Sequence, residues 1–204
     1  MAATRENADQ RRARLVGVAR DLIAREGIEA CTFRRLAAAA DTSTRPFTHA
    51  FGTRDNLLRA VALSTWDGSP IDVEGTPAPV ERHDGWDCVA ELVEIGEHWL
   101  PLTPTQAQAE RVYLEITLYA LNRPRLHAEL RDRSFAANAH IANLIGHGMA
   151  RGQVRADQSA MDLTLGYWSL HAGLGLVGLY EATAMSTDAL RATWRDGVER
   201  LLRP

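Results

Sequence analysis

The apolar residues near the start of the chain recur at intervals of three and four positions, the period of one face of an α-helix. Over residues 11–26 this face consists of Leu15, Val18, Ala19, Leu22 and Ile23. Gly27 follows, and glycine commonly ends a helix because it adopts a left-handed backbone at little cost. The pattern predicts a first helix over residues 11–26, preceded by a polar segment over residues 1–10.

Two shorter helices are predicted next, separated by a break at Asp41 and Thr42. Thr32 and Ser43 are each placed to accept hydrogen bonds from first-turn amides that a helix leaves unpaired. The second short helix is expected to end near residue 49, and Thr53 is placed to cap a third. Two helices of about two turns with so short a break are typical of a helix-turn-helix, whose second helix enters the major groove of DNA. A hairpin that only packs is the alternative.

The remainder of the chain continues in helical periods. Helices are predicted over residues 53–66, 80–100, 106–121, 125–151, 159–180 and 187–202, and the Pro/Gly/Asp-rich segment 67–79 reads as a connecting loop. No stretch alternates at period two, so we predict an all-α fold with about nine helices. We divide it into a helix-turn-helix DNA-binding domain, residues 1–59, and a helical ligand-binding and dimerisation domain, residues 60–204.

The segment 163–180 has 18 residues without a formal charge, long enough to be considered as a membrane span. Thr164, Ser169, His171 and four glycines lower its hydrophobicity, and no basic residue flanks it. We therefore expect a helix that is buried on several sides in a protein without a membrane partner.

The charge is distributed unevenly along the chain. Residues 1–59 contain 11 arginines and seven acidic residues, whereas residues 60–204 contain 12 arginines and 19 acidic residues. A basic front on an acidic body fits a nucleic-acid contact at one end. The two cysteines, Cys31 and Cys88, have no metal-ligand spacing and indicate reduced thiols in a cytoplasmic protein, and the polar first 14 residues do not resemble a signal peptide.

Residues 11–62 resemble the N-terminal domain of the TetR family of bacterial transcriptional regulators. The family pattern has a helix-ending Gly, a Thr, an Ile/Leu-Ala pair, a Gly-Val-Ser turn, an aromatic, Phe, Lys and Leu-Leu. In this chain the corresponding positions are, in the same order, Gly27, Thr32, Leu36-Ala37, Asp41-Thr42-Ser43, Thr48, Phe51, Arg54 and Leu57-Leu58. Asp41, Thr42 and Thr48 depart from that pattern. The resemblance implies a homodimeric repressor that binds near-palindromic double-stranded operator DNA and is released by a small-molecule effector.

The residues expected to contact DNA lie in and around the two short helices. Arg45 is the candidate for reading a base, because its guanidinium can bond guanine O6 and N7 together; a phosphate contact is the alternative. Pro46 stiffens the start of the helix and offers an apolar face to a thymine methyl. Contacts to phosphate or base are expected from Thr32, Ser43, Thr44, Thr48 and His49, and contacts to the DNA backbone from Arg34, Arg35 and Arg54. A solvated position is the alternative for Arg35.

An effector pocket is expected among aromatic residues of the later helices, although aromatic residues at helical spacing are more often core residues. Glu115 lies among apolar neighbours, so it either faces solvent, pairs with Arg111, or meets a donor group of the ligand. A carboxylate with aromatic faces favours a largely apolar ligand with a positive or donor group. His171 reads as a hydrogen-bonded core residue or a ligand contact. The candidate lining is Trp99, Tyr113, Glu115, Tyr119, Phe135, Tyr167, Trp168 and His171.

The last two helices are expected to form the dimer interface as a four-helix bundle. Glycines at 166, 173, 175 and 178 favour close approach of another helix, and the apolar stripe of the last helix has no evident partner within its own chain. The candidate interface is Gly166, Leu170, Gly173, Leu174, Val177, Leu190, Trp194, Val198 and Leu201.

Catalytic motifs are absent from the sequence. It contains no GxSxG, no Gly-rich phosphate loop and no HExxH, and His140 and His147 without a third ligand are weak evidence of a metal site. We therefore expect no enzymatic activity, no cofactor and no metal. The alternative to a DNA-binding regulator is a chain of the same fold with weakened DNA binding that acts through protein partners.

Overall fold

The computed structural model describes residues 7–66, 70–71, 85–180 and 185–204, and within them it contains nine α-helices and no strand. The helices are α1 (Ala8–Glu26), α2 (Phe33–Ala39), α3 (Arg45–Phe51), α4 (Arg54–Ser64), α5 (Cys88–Glu97), α6 (Pro104–Ala120), α7 (Pro124–Ala150), α8 (Ala160–Tyr180) and α9 (Thr187–Leu202). A 3-10 helix, Ile28–Ala30, joins α1 to α2 and is called the 28–30 turn below. The prediction of an all-α fold is confirmed.

Side-chain caps explain where several helices begin. Thr32, Thr53 and Ser186 each accept a hydrogen bond from an amide of the following first turn, as expected of N-cap residues. The helix expected over residues 80–100 begins only at Cys88, because Asp87 caps it by accepting from the amides of Val89 and Ala90. Residues 80–84 of that expected helix, and all of the predicted 67–79 loop except residues 70–71, lie outside the described residues.

The chain divides into two compact units. The first unit comprises Met1–Asp67 and Arg111–Leu130, and the second comprises Gly68–Glu110 and Arg131–Pro204. The C-terminal part of α6 therefore packs with the helix-turn-helix segment. Its residues Val112, Ile116 and Tyr119 join a core that also contains Leu15, Ala19, Leu22, Ile23, Leu36, Phe47, Leu57, Leu58 and Val61.

The predicted break between α2 and α3 contains a residue with a left-handed backbone. Asp41 has φ = 47°, in the left-handed region, and is the only described non-glycine residue with positive φ. Aspartate tolerates this conformation better than most residues. The turn thus forms without the glycine of the family pattern.

Trp194 of α9 is the largest fully buried side chain of the second unit. Its ring lies on Gly96 of α5, where a Cβ would be only 2.0 Å from Cζ2, and its Nε1 donates to the carbonyl of Val93 at 2.9 Å. Leu190, Val198 and Leu202 on the same face of α9 are also buried. The expectation that this stripe lacks a partner in its own chain is wrong, because α5 and α8 cover it.

The α8 glycines make room mostly for residues of the same chain. A Cβ at Gly166 would lie 3.0 Å from Leu201, one at Gly175 2.5 Å from Glu110, and one at Gly178 2.7 Å from Pro101. Only at Gly173 among these four does a Cβ meet nothing within 4 Å. Close approach of a second copy is therefore not needed to explain three of them.

Helix α8, which includes the uncharged segment 163–180, is buried on one face and exposed on another. Leu165 and Leu176 are 69% and 56% exposed in the single chain, so the expected burial on several sides is not met there. Among the described residues, no helix combines the length and hydropathy needed to cross a membrane.

Substitution of Gly96 by alanine tests the packing of Trp194. The added methyl group would overlap the indole ring, and overpacking of a core costs about 1–3 kcal/mol or more of unfolding free energy. Gly146→Ala, inside α7 where a Cβ meets nothing within 4 Å, is the matched control; it should instead gain about 0.5–1 kcal/mol from helix propensity. Urea unfolding of both variants measures the difference, and equal effects would contradict the packing.

Candidate functional site

The helix-turn-helix rests on a small apolar core. Helix α2 packs through the fully buried Leu36 and the buried Ala37, and α3 packs through Phe47 and Phe51. The rings of Phe33 and Phe47 stack with their centroids 6.3 Å apart, which joins the two helices. This packing leaves the opposite side of α3 exposed.

The exposed side of α3 carries the side chains that were expected to read DNA. Arg45, Thr48 and His49 are exposed, and Ser43 and Thr44 are exposed just before the helix. Thr48 donates from Oγ1 to the carbonyl of Thr44 at 3.1 Å. These residues therefore form one accessible strip along a helix of seven residues.

The start of α3 differs from the predicted Ser43 cap. The N-cap residue is Thr44, and no side chain caps the helix there. Pro46 is the second helical residue, and it has no amide hydrogen to offer. A Ser43 hydroxyl would find proline at the position three residues on, so one of the two usual capping bonds cannot form.

Arg54 is hydrogen-bonded to other groups of its own chain. Its guanidinium donates to the carbonyl of Cys31 at 2.9 Å and to that of Ile28 at 2.7 Å, and Glu29 lies 3.5 Å from it. Its remaining nitrogen donates to the hydroxyl of Tyr119 at 3.3 Å. Three of its five N–H groups are thereby used within the chain, and the phosphate contact expected of Arg54 stays a prediction.

Glu115 of α6 holds the same turn from its other end. Its Oε2 accepts from the amide of Ile28 at 2.8 Å, and its Oε1 lies 3.8 Å from Nε of Arg111. Of the three options for Glu115, the ion pair with Arg111 is found, together with an unexpected backbone acceptor role. Burial, followed by the hydrogen bond to Asp55, raises the pKa of the neighbouring Tyr119.

Arg34 and Arg35 lie at exposed positions of α2. Arg35 pairs with Glu26 of α1, which holds its guanidinium on the protein surface. Arg34 is exposed. The solvated alternative considered for Arg35 is closer to this arrangement than a preformed DNA contact.

Four of the candidate ligand residues come together in the second unit. The centroids of Trp99 and Trp168 are 5.8 Å apart, and each ring lies within 6.4 Å of the ring of His171. Tyr167 packs on Trp168 and donates its hydroxyl to the carbonyl of Leu92 at 2.8 Å. We call Trp99, Tyr167, Trp168 and His171 the aromatic cluster.

The polar atoms of the aromatic cluster differ in how they are satisfied. His171 Nε2 lies 3.2 Å from the carbonyl of Gly96, and burial lowers the pKa of His171 to about 4, so the ring is neutral near pH 7. Trp168 Nε1 is buried and has no hydrogen-bond partner among the described residues. A buried donor without a partner is costly, and a ligand acceptor would satisfy it.

The remaining candidates for the pocket lie elsewhere. Tyr113, Glu115 and Tyr119 belong to the first unit, and Phe135 is 63% exposed on α7. The prediction missed Glu110 of α6, which is only 6% exposed. Its neighbours in sequence, Gln106, Gln108 and Arg111, are polar, so no pattern marked it as buried.

Glu110 is a buried carboxyl group beside the same face of α8. One of its oxygens occupies the space left by the missing side chain of Gly175, one helical turn after His171 and two after Trp168. No hydrogen bond or ion pair reaches this carboxyl from the residues that the structure describes. Burial raises its pKa to about 7. It is thus a potential anion on the face of α8 that also bears His171 and Trp168.

Comparison with known families matches both parts of the chain. Residues 15–61 match the N-terminal domain described as "Bacterial regulatory proteins, tetR family". Residues 89–203, more than half of the chain, match the domain described as "BetI-type transcriptional repressor, C-terminal". The chain belongs to the TetR family. It is a ligand-responsive, DNA-binding transcriptional regulator.

Several solved structures have a fold similar to that of this chain. A putative transcriptional regulator from Saccharomonospora viridis, solved in complex with choline, is 23% identical with a TM-score of 0.79, covering 96% of this chain and 99% of its own. A transcriptional regulator from Rhodococcus sp. Rha1 is 17% identical with a TM-score of 0.79, covering 93% and 95%. The MbdR regulator from Azoarcus sp. CIB is 17% identical with a TM-score of 0.73, covering 94% of this chain and 97% of its own. A search of curated proteins finds no match.

In this TetR-family chain, the residue at position 54, where the family pattern has Lys, is Arg, and its side chain binds the 28–30 turn and Cys31. Arg54 instead of Lys has a planar guanidinium that reaches two carbonyls at once. Arg12 of α1 was also missed: it donates to the carbonyl of Ala50 at 2.8 Å. The sequence has 23 arginines, and no local pattern distinguishes Arg12 as the one that binds the backbone of α3.

Arg45→Ala should relax sequence preference at one base pair. Arg45 is exposed at the start of α3, and loss of a bidentate contact to guanine costs about 1–3 kcal/mol of discrimination. Selection of binding sites from random DNA measures the preference. Arg34→Ala, which removes an exposed arginine from α2, is the control and should keep the wild-type motif. An unchanged motif for Arg45→Ala would show that Arg45 does not read a base.

Proposed function

We propose that the protein is a homodimeric repressor that is released from a near-palindromic operator by a small organic cation. The observation that carries the proposal is the buried, unpaired carboxyl of Glu110 beside the α8 face that bears Trp168 and His171. Membership of the TetR family supports the DNA-binding half, and the chemistry of Glu110 supports the ligand half.

The accessible strip on α3 supports binding of double-stranded DNA through the major groove. Two copies related by a two-fold axis would place their α3 helices about one DNA turn apart, about 34–36 Å. Such a dimer reads a near-palindrome, because the same side chains meet each half-site. Arg45 is our candidate for reading a base within each half-site.

The exposed apolar face of α8 supports the dimer. Met161, Leu165, Leu176 and Tyr180 are all more than half exposed, and they recur at intervals that place them on one side of the helix. Gly173 lies on this side with open space before it. We therefore still propose that α8 and α9 form the interface. Because Leu190, Trp194 and Val198 are buried within the chain, the proposed contact residues are those of the exposed α8 face.

A cation is the ligand that the second unit fits best. Aromatic faces attract quaternary ammonium groups, and such groups cannot donate a hydrogen bond, so rings and a carboxylate are the usual partners. The regulator from Saccharomonospora viridis was solved with choline, which is a cation of this class with a hydroxyl group. In this chain the hydroxyl oxygen of such a ligand would accept from Trp168 Nε1.

Release from DNA requires that the ligand bind one form of the dimer more tightly than the other. Helix α6 carries Glu110 and, five residues later, Glu115, whose carboxylate holds the amide of Ile28. A shift of α6 on cation binding would therefore act on the turn from which α2 begins. We propose this continuous helix as the route of coupling.

Leu165→Arg should convert the dimer to a monomer with little operator affinity. The substitution places a charge in the proposed interface, where an unpaired charge is strongly unfavourable. Leu118→Arg on α6 is the matched control, because Leu118 is 65% exposed and Leu165 69%. Sedimentation measures the mass of each variant. A Leu165→Arg chain that stayed dimeric and bound DNA would place the interface elsewhere.

Choline should release the protein from operator DNA in a manner that depends on pH. The carboxyl of Glu110, with its pKa near 7, is mostly protonated at pH 6 and mostly ionised at pH 8. The cation needs the ionised form, so its affinity should rise about tenfold between these values. Calorimetric titration with choline measures the affinity, and 3,3-dimethylbutanol, its uncharged isostere, should bind weakly at both pH values.

Glu110→Gln should bind choline weakly and without this pH dependence. Glu94→Gln, at an exposed position of α5, is the control and should behave as the wild type. His171 does not confuse the result, because its pKa of about 4 keeps it neutral over this range. If anionic compounds alone released the DNA, the cation proposal would be wrong.

A further inference from the structure

The recognition helix α3 is held at its end rather than at its start. A helix leaves its last carbonyls without intrahelical donors. The carbonyl of Thr48 accepts from the amide of Gly52 at 2.9 Å, and that of Phe51 accepts from the amide of Thr53 at 2.8 Å and from Asn56 Nδ2 at 2.9 Å. The start of α3 has no side-chain cap. The side-chain hydrogen bonds that orient this short helix therefore lie at its C-terminal end.

Arg12 of α1 supplies the most distant of these contacts. Its guanidinium donates to the carbonyl of Ala50 at 2.8 Å across 38 residues of sequence, and its Cζ lies 4.5 Å from the centroid of the Phe51 ring. Phe51 is itself buried in the core of the first unit. Arg12 thus contacts both the backbone and a core side chain of the last turn of α3, and a cation is favourable at that end of a helix.

We propose that Arg12 is a positioning residue for base readout, setting the orientation of α3 through Ala50 and Phe51. An exposed arginine near a DNA-binding helix would ordinarily be assigned to phosphate. Here one of its nitrogens is bonded to α3 and its plane lies over Phe51. A small rotation of α3 about its held end moves Arg45, at the opposite end, against the base edges. The sequence preference therefore depends on Arg12 although Arg12 does not read a base.

The test separates positioning from phosphate binding. Arg12→Ala and Arg12→Gln are compared with the wild type for affinity to the selected operator and to unrelated duplex DNA over a range of salt concentrations. We expect the ratio of operator to unrelated affinity to fall about tenfold, while affinity for unrelated DNA and its salt dependence stay nearly constant. Arg12→Lys, which keeps a cationic donor, should recover most of the ratio.

Controls keep the outcome interpretable. Arg25→Ala removes an exposed arginine near the other end of α1 and should leave the ratio unchanged. Asn56→Ala loosens the same end of α3 from α4 and should lower the ratio in the same direction, which provides a second test if Arg12→Ala folds poorly. Thermal unfolding by circular dichroism identifies such a loss of folding.

Two outcomes would overturn the proposal. If Arg12→Ala weakened binding to all DNA equally and reduced the salt slope by about 0.9, Arg12 would be a phosphate contact. If neither affinity nor site preference changed in the Arg12 and Asn56 variants, α3 would be oriented by its apolar packing alone. Neither result depends on the effector or on the dimer interface.

Discussion

The backbone groups of the 28–30 turn need partners that a three-residue 3-10 helix cannot supply. The structure satisfies them from two other helices: Glu115 of α6 accepts from the amide of Ile28, and Arg54 of α4 donates to the carbonyls of Ile28 and Cys31. Because α2 begins directly after this turn, these charged contacts set the direction in which the helix-turn-helix leaves α1. Leaving such a group unpaired when part-buried costs about 1–3 kcal/mol.

In the second unit, some buried polar groups have hydrogen-bond partners and others have none. Its core pairs Tyr167 and Trp194 with backbone carbonyls of α5. Glu110 is buried, and burial alone shifts its pKa. The buried indole nitrogen of Trp168 has no hydrogen-bond partner among the described residues. Unpaired buried groups reduce stability, and perturbed carboxyls of this kind are frequent at functional sites. This contrast is the physical reason to look for the effector beside α8 rather than around Glu115.

Helix positions could be predicted closely where the signals are local. The bounds of α9 agree with the prediction because Ser186 caps it and its apolar residues recur regularly, and Thr32 and Thr53 cap their helices as expected. The partner of an apolar stripe is not a local property. The spacing of Trp194 predicts a dimer contact, yet its ring packs on Gly96, almost a hundred residues earlier in the chain. Likewise, Arg54 and Glu115 find backbone partners that no spacing indicates.

The sequence by itself determined the all-helical class, the helix-turn-helix and the strip of side chains on α3, because caps, breaks and periodicity act over a few residues. It also placed the break between the two short helices at Asp41, which the structure holds in a left-handed backbone that aspartate tolerates. Only the tertiary structure decided which charged groups are buried. Burial depends on helices brought together from distant parts of the chain: Glu110 became an unpaired carboxyl because Gly175 of α8 leaves room for it. Arg12 reached α3 for the same reason, because folding placed α1 beside its last turn.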